Sequence, residues 1–152
     1  MTSPAKTGHM EVALQQARLA AGRGEVPVGA VVVSPDGRVV AAEGNRSREL
    51  SDPTAHAEIL ALRAACRAAG SERLPGFDLY VTLEPCPMCA AAISFARIRR
   101  LYYGACDPQG GGVEHGARVF SHTTCHHSPD VYPGLGEDEA AMILKRFFAD
   151  RR

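Results

Sequence analysis

Asp78-Leu79-Tyr80-Val81-Thr82-Leu83-Glu84-Pro85-Cys86-Pro87-Met88-Cys89 carries the chain from a strand into a helix with two cysteines at the crossing point. Residues 78–83 are apolar and β-branched enough to form a strand, and Pro87 is suited to the first position of a helix. Cys86 and Cys89 stand three apart, so their sulfurs meet on one face of the first turn. A parallel strand at about Ile98 to Tyr103 then completes a right-handed strand-helix-strand unit.

Upstream, His56-Ala57-Glu58 supplies what the two thiols lack. Imidazole and thiolate are zinc ligands, and the set His56, Cys86 and Cys89 stops at three. A structural zinc site is closed by four protein ligands, whereas a catalytic one keeps a place for water. The competing reading completes a structural site with His115, His122, Cys125, His126 or His127, without the second closely spaced pair such sites bring. His56 and Glu58 are two apart and cannot share a helix face, so they converge only if the metal lies off the helix end. Asp52-Pro53-Thr54 offers capping oxygens before apolar positions Ala55, Ile59, Leu62, Cys66 and Ala69, which predicts a helix from about Thr54 to Ala69 ended by Gly70. Two helix N-termini would face one ion and favour thiolates and hydroxide there. Glu58 remains free to take a water proton and return it to a ring nitrogen and a departing amine. The His-x-Glu and Pro-Cys-x-x-Cys pair matches the zinc-deaminase pattern.

At 152 residues and 45% hydrophobic, the chain suits one domain spanning 1–152. No apolar run approaches the roughly 18 to 20 residues of a membrane span, and Met1 to Met10 has no signal-peptide core, so a cytoplasmic location is expected. Five cysteines, two of them in a metal motif, make no disulfide framework. Lysine plus arginine balance aspartate plus glutamate at 17 each, so any phosphate-binding surface must be local. Basic residues gather at Arg97, Arg99 and Arg100, and again at Lys145, Arg146, Arg151 and Arg152; each cluster reads equally as a solvated helix face.

A first helix is predicted through Met10, Ala13, Leu14, Ala17, Ala20 and Ala21, closed by Gly22 and Gly24. Val28 to Ser34 and Arg38 to Ala42, joined by Pro35-Asp36-Gly37, read as a hairpin whose first strand is buried on both faces. From Gly110 to about Gly136 periodicity is weak, and the stretch holds four of the six histidines. A stretch this long is functional or carries short elements of its own. A last helix runs from Glu137 towards Arg151, with Ala140, Ala141, Leu144, Phe147 and Phe148 on one face. Ala90, Ala91, Ile93 and Ser94 on the cysteine helix are small enough for close packing on its own sheet or on a partner.

This order of elements resembles the cytidine deaminase-like superfamily. Glu25-Val26-Pro27-Val28-Gly29-Ala30-Val31, Gly44-Asn45-Arg46, Asp52 to Glu58, Tyr80 to Cys86 and Gly104-Ala105-Cys106-Asp107 are similar to the bacterial tRNA-specific adenosine deaminase family, over nearly the whole chain. The resemblance implies a homodimeric α/β enzyme, a three-layer α/β/α fold with a mixed central sheet of about five strands. It implies one catalytic zinc per subunit on His56, Cys86 and Cys89, with Glu58 shuttling protons. It implies base recognition by Asn45 with the backbone around Val28 and Ala57. The substrate it implies is the wobble adenosine of a tRNA anticodon stem-loop, of an arginine tRNA, converted to inosine.

A carboxamide such as Asn45 offers both donor and acceptor to an extruded nucleoside, although Asn after Gly44 is also an ordinary turn residue. Asp107 could accept a ribose 2′-hydroxyl, or simply open a turn with Pro108. Phe148 could wall the pocket or stack on a base, while a helical Phe pair more often packs in a core. Glu84 could orient a metal ligand from behind, but a strand-end glutamate needs no such role, and it stays outside the catalytic set. His122, Cys125, His126 and His127 read as scattered loop residues. Two other readings keep the zinc residues: a deaminase of a free nucleobase or nucleoside, which the neutral charge suits, and a non-catalytic zinc-dependent RNA-binding module, for which Glu58 has no purpose.

Overall fold

A computed structural model describes residues 4–151; residues 1–3 and Arg152, the last of the second basic cluster, lie outside the described residues. Among the described residues, four helices and five strands follow one another as α1 (Pro4–Gly22), β1 (Gly29–Val33), β2 (Val39–Gly44), α2 (Ala57–Ala69), β3 (Asp78–Leu83), α3 (Pro87–Phe95), β4 (Arg100–Ala105), β5 (Asp130–Pro133) and α4 (Glu137–Ala149), with a 3-10 turn at Val119–Ser121. The sheet order is β2-β1-β3-β4-β5. β1 is antiparallel to both β2 and β3, whereas β3, β4 and β5 run parallel.

Side-chain alternation along the central strands splits the interior into two cores. Ala30, Val32, Leu79, Val81, Leu101 and Tyr103 face α2 and α3, meeting Ala61, Leu62, Ala65, Ala90 and Ile93. Val31, Val33, Tyr80 and Tyr102 face the other way, onto Met10, Ala13 and Leu14 of α1 and Ala140 of α4. The result is the expected three-layer α/β/α sandwich on a mixed five-stranded sheet. Every residue of β1 is buried, as a strand covered on both faces must be. Gly29 is obligatory there because α1 lies directly on its backbone: a Cβ at this position would sit 1.8 Å from the carbonyl oxygen of Ala13.

Several expectations shift. α2 starts at Ala57 with His56 as its N-cap residue, later than Thr54. Asp52 Oδ1 accepts hydrogen bonds from the Thr54 N–H (2.8 Å) and hydroxyl (2.7 Å), so its capping oxygen closes a turn ahead of the helix and does not cap it. Gly70 ends α2 in the left-handed region at φ 66°, as predicted. β4 begins at Arg100, because Arg97 turns the chain at φ 61° and the N–H of Ile98 still bonds the Ile93 carbonyl. The 110–136 stretch contains the fifth strand, which pairs in register with Arg100 to Tyr103 of β4. On α4, Ala140 and Phe147 are buried with Ile143 packed beside them, while Ala141 and Phe148 are exposed.

Candidate functional site

The strand directions bring four segments to one edge of the sheet. Gly29 pairs with Gly44 and Ala30 with Val81, so the amino end of β1 lies beside the carboxyl ends of β2 and β3, and parallel β4 ends next to them. Val28, Asn45 and Glu84 adjoin these ends directly and Asp107 lies two residues past Ala105, where strand direction reverses between β1 and β3. α2 and α3 begin at the same edge.

Cys86 is the N-cap residue of α3, with Pro87 in the first turn and Cys89 one turn in. His56 Nδ1 lies 3.6 Å from Cys86 Sγ and 3.5 Å from Cys89 Sγ. The three donor atoms fall within 4.8 Å of one another and form the one such cluster found among the described residues. An imidazole and two thiols that close, at two converging helix ends, fit zinc in donor type and number. Electrostatics agree: the neighbouring Cys89 thiol, with His56 and the Cys89 N–H behind it, pulls the Cys86 thiol down to about 4. Cys89, buried against that thiolate, is pushed far up, and His56 is raised by its bond to Cys86. Zinc binding at such a cluster displaces the protons of its thiols.

Glu58 is 4% exposed and adjoins Cys89. Burial raises its carboxyl from 4.5 to about 7, poised to hold or release a proton near neutrality. Glu58, His56 and Cys86 line a cavity of about 430 Å³. Its walls bring in Val28, Ala57, Asn45 and Asp107, all expected from sequence, together with Val26, Ser47, Arg48, Leu83, Glu84 and Gly110, which were not. Asn45 is 8% exposed, its N–H bonded to the Val28 carbonyl at 3.1 Å and its Oδ1 accepting from the Ser47 hydroxyl at 2.7 Å. Asp107 Oδ1 accepts from the N–H groups of Gln109 (3.2 Å) and Gly110 (2.9 Å), so it closes a turn and lines the cavity at once.

Phe148 departs from expectation. It is 50% exposed and absent from the cavity lining, because α4 packs on the sheet face opposite α2 and α3 and turns Phe147 inward instead. Glu84 orients no metal ligand: its fully buried carboxylate accepts from the loop that follows β4. One residue of each basic cluster is engaged locally, Arg99 forking onto Asp78 at 3.0 and 2.9 Å and Arg151 stacking 3.8 Å from the Phe147 ring centre. His122 and His127 bond the backbone carbonyls of Ala117 and Ile98, so the histidines of the long loop do not converge. A wider cleft of about 620 Å³ between α1 and α4 contains none of the metal donors.

Two converging helix ends that offer His56, Cys86 and Cys89, with buried Glu58 beside them in the same cavity, match the class of zinc-dependent deaminases. The cytidine and deoxycytidylate deaminase zinc-binding region matches residues 4–105, and the chain belongs to that family, with zinc as its cofactor. It is 67% identical to a tRNA-specific adenosine deaminase of Agrobacterium fabrum, over 97% of this chain and 96% of the relative. Among solved structures, one from a study of A-to-I editing by tRNA:A34 deaminases at the wobble position superposes with a TM-score of 0.89 at 70% identity, covering 91% of this chain and 99% of that one. A guanine deaminase from Nitrosomonas europaea shares the fold at 24% identity and a TM-score of 0.82, covering 98% of this chain and 86% of that one.

Proposed function

We propose that this chain deaminates the wobble adenosine of a tRNA anticodon stem-loop to inosine. The carrying observation is the catalytic cluster with buried Glu58 in a chain so similar, over almost its full length, to a tRNA-specific adenosine deaminase. In this reading His56, Cys86 and Cys89 hold one zinc per subunit. When bound, the metal supplies the Lewis acidity that makes a water molecule nucleophilic near neutral pH.

The chain's own residues do the rest. Glu58 takes a proton from the attacking water, passes it to the purine ring nitrogen, and delivers a proton to the amine that leaves as ammonia. Asn45 presents its carboxamide to the extruded nucleoside, held in place by Ser47 and Val28. The backbone at Val28 and Ala57 frames the base. Asp107 accepts the ribose 2′-hydroxyl, which selects RNA over DNA. Arg48, on the rim, meets a flanking phosphate, in keeping with a chain whose net charge is zero and whose RNA contacts must be local.

The same reading takes residues 1–152 as one deaminase domain, supported by the single sheet on which both cores rest. It takes the working form as a cytoplasmic homodimer that acts on an arginine tRNA. Phe95 on α3, 75% exposed beside Ala91 and Val119, supports an apolar contact between subunits. Zinc-loaded protein is assayed for inosine in an adenosine-containing anticodon stem-loop, beside free adenosine, cytidine, cytosine and guanine, with ammonia release as readout. Turnover of the RNA alone upholds the proposal; turnover of a free base alone overturns the substrate and leaves the zinc chemistry standing.

A further inference from the structure

Of the buried carboxylates that take no part in the chemistry above, Asp78 pairs with Arg99, and two others lie deeper. Glu25 and Glu84 are each 2% exposed, and a carboxylate so placed is costly unless hydrogen bonds compensate it. Both find the compensation in the main chain of a loop that walls the cavity. Glu25 accepts from the N–H of Arg48 at 3.1 Å through Oε1 and from that of Glu49 at 2.7 Å through Oε2. Glu84 Oε2 accepts from the N–H groups of Val113, Glu114 and His115 at 3.2, 2.9 and 3.0 Å. Its Oε1 accepts from the Asp107 N–H at 3.0 Å and meets His115 Nδ1 at 2.7 Å.

The two loops leave strands that β1 and β3 separate in the sheet, Ser47 and Arg48 following β2 and Asp107 and Gly110 following β4, and both line the cavity. We infer that Glu25 and Glu84 are positioning residues, each clamping one wall of the cavity by its backbone amides and so fixing the width into which the substrate nucleoside fits. This rests on the reading of the cavity as the substrate site. An amide donor at either position would face N–H groups, so a carboxylate is the one side chain of this length that accepts at both ends.

The glycine run at 110–112 independently fits the same device. A Cβ on Gly111 would stand 2.6 Å from the Glu84 carboxyl group, and one on Gly112 would stand 2.5 Å from the backbone nitrogen of Pro87. The Gly112 N–H also bonds the Pro85 carbonyl at 2.8 Å. The loop therefore lies flat on Glu84 and on the start of α3, and only glycine permits that approach.

The test combines amide hydrogen exchange with steady-state kinetics on zinc-loaded Glu25→Gln, Glu84→Gln and Gly111→Ala proteins. Glu84→Gln is expected to speed exchange at 107–115 by about tenfold and leave 46–52 within about twofold, and Glu25→Gln to do the reverse. Zinc content stays at that of the wild-type protein, KM rises about tenfold and kcat changes less than about threefold. Gly111→Ala lifts the same loop while keeping the carboxylate, and carries the test if Glu84→Gln does not fold. Faster exchange spread over the whole sheet, or local loosening with an unchanged KM, overturns the inference. Turnover is measured on whichever substrate the wild-type protein accepts, so failure of the tRNA reading shows in the wild-type protein itself.

Discussion

His56 and Glu58 show how two residues that cannot share a helix face still meet. Because α2 begins at Ala57, His56 stays in extended backbone at the cap while Glu58 enters the first turn, and both reach the cysteines at the start of α3. The division of labour predicts distinct losses. Glu58→Ala should retain its zinc and lose about 10²- to 10⁴-fold in turnover, whereas Cys86→Ala should lose the metal and the activity together, as metal analysis beside the ammonia assay would show. A fully active Glu58→Ala protein would remove the proposed mechanism. A second consequence concerns pH. The folded, metal-free protein holds the Glu58 proton up to about 7, against 4.5 ordinarily. That raised value stabilises the fold fully below pH about 4.5 and the contribution is lost as pH rises through about 7. Urea unfolding in a chelator should therefore show the wild-type protein losing stability relative to Glu58→Gln across that window, by something on the order of 3 kcal/mol.

Elements with strong local signals formed where the chain announced them. β3 keeps its predicted bounds because residues 78–83 are strand-forming throughout, and α3 starts at Pro87 because proline suits a first helical turn. The start of α2 slid to Ala57 because Asp52 finds its partners in a tighter turn, and β4 moved because buried Ile98 serves the core from a turn. Ile93, fully buried between α3 and the sheet, should cost about 2 to 5 kcal/mol when cut to alanine, measured by denaturant unfolding. Gly29→Ala should be at least as disruptive, since its methyl would have to push α1 off β1; an unfolding midpoint equal to wild type would contradict that packing.

For the whole molecule, zero net charge makes RNA binding a matter of few contacts, so Arg48→Ala should lower the slope of log affinity against log salt by about 0.7 for a single-stranded segment, read from binding titrations at several salt concentrations. Removing zinc should abolish turnover and lower the Tm, with both restored on adding the metal back. The sequence by itself singled out the metal donors and Glu58 and placed most helices and central strands, and the layered α/β architecture followed from its family resemblance. Ligand chemistry is carried by residue type and short spacing, and helices and central strands by periodic burial. Only the tertiary structure decided the rest. β5 is a four-residue edge strand with exposed, proline-bearing sequence that exists because β4 offers it a partner. Phe148 fell outside the cavity because the side of the sheet that α4 covers is set by topology. The buried anchoring of Glu25 and Glu84 was equally hidden, since a carboxylate's choice of backbone amides some 23 to 31 positions away leaves no trace in local pattern.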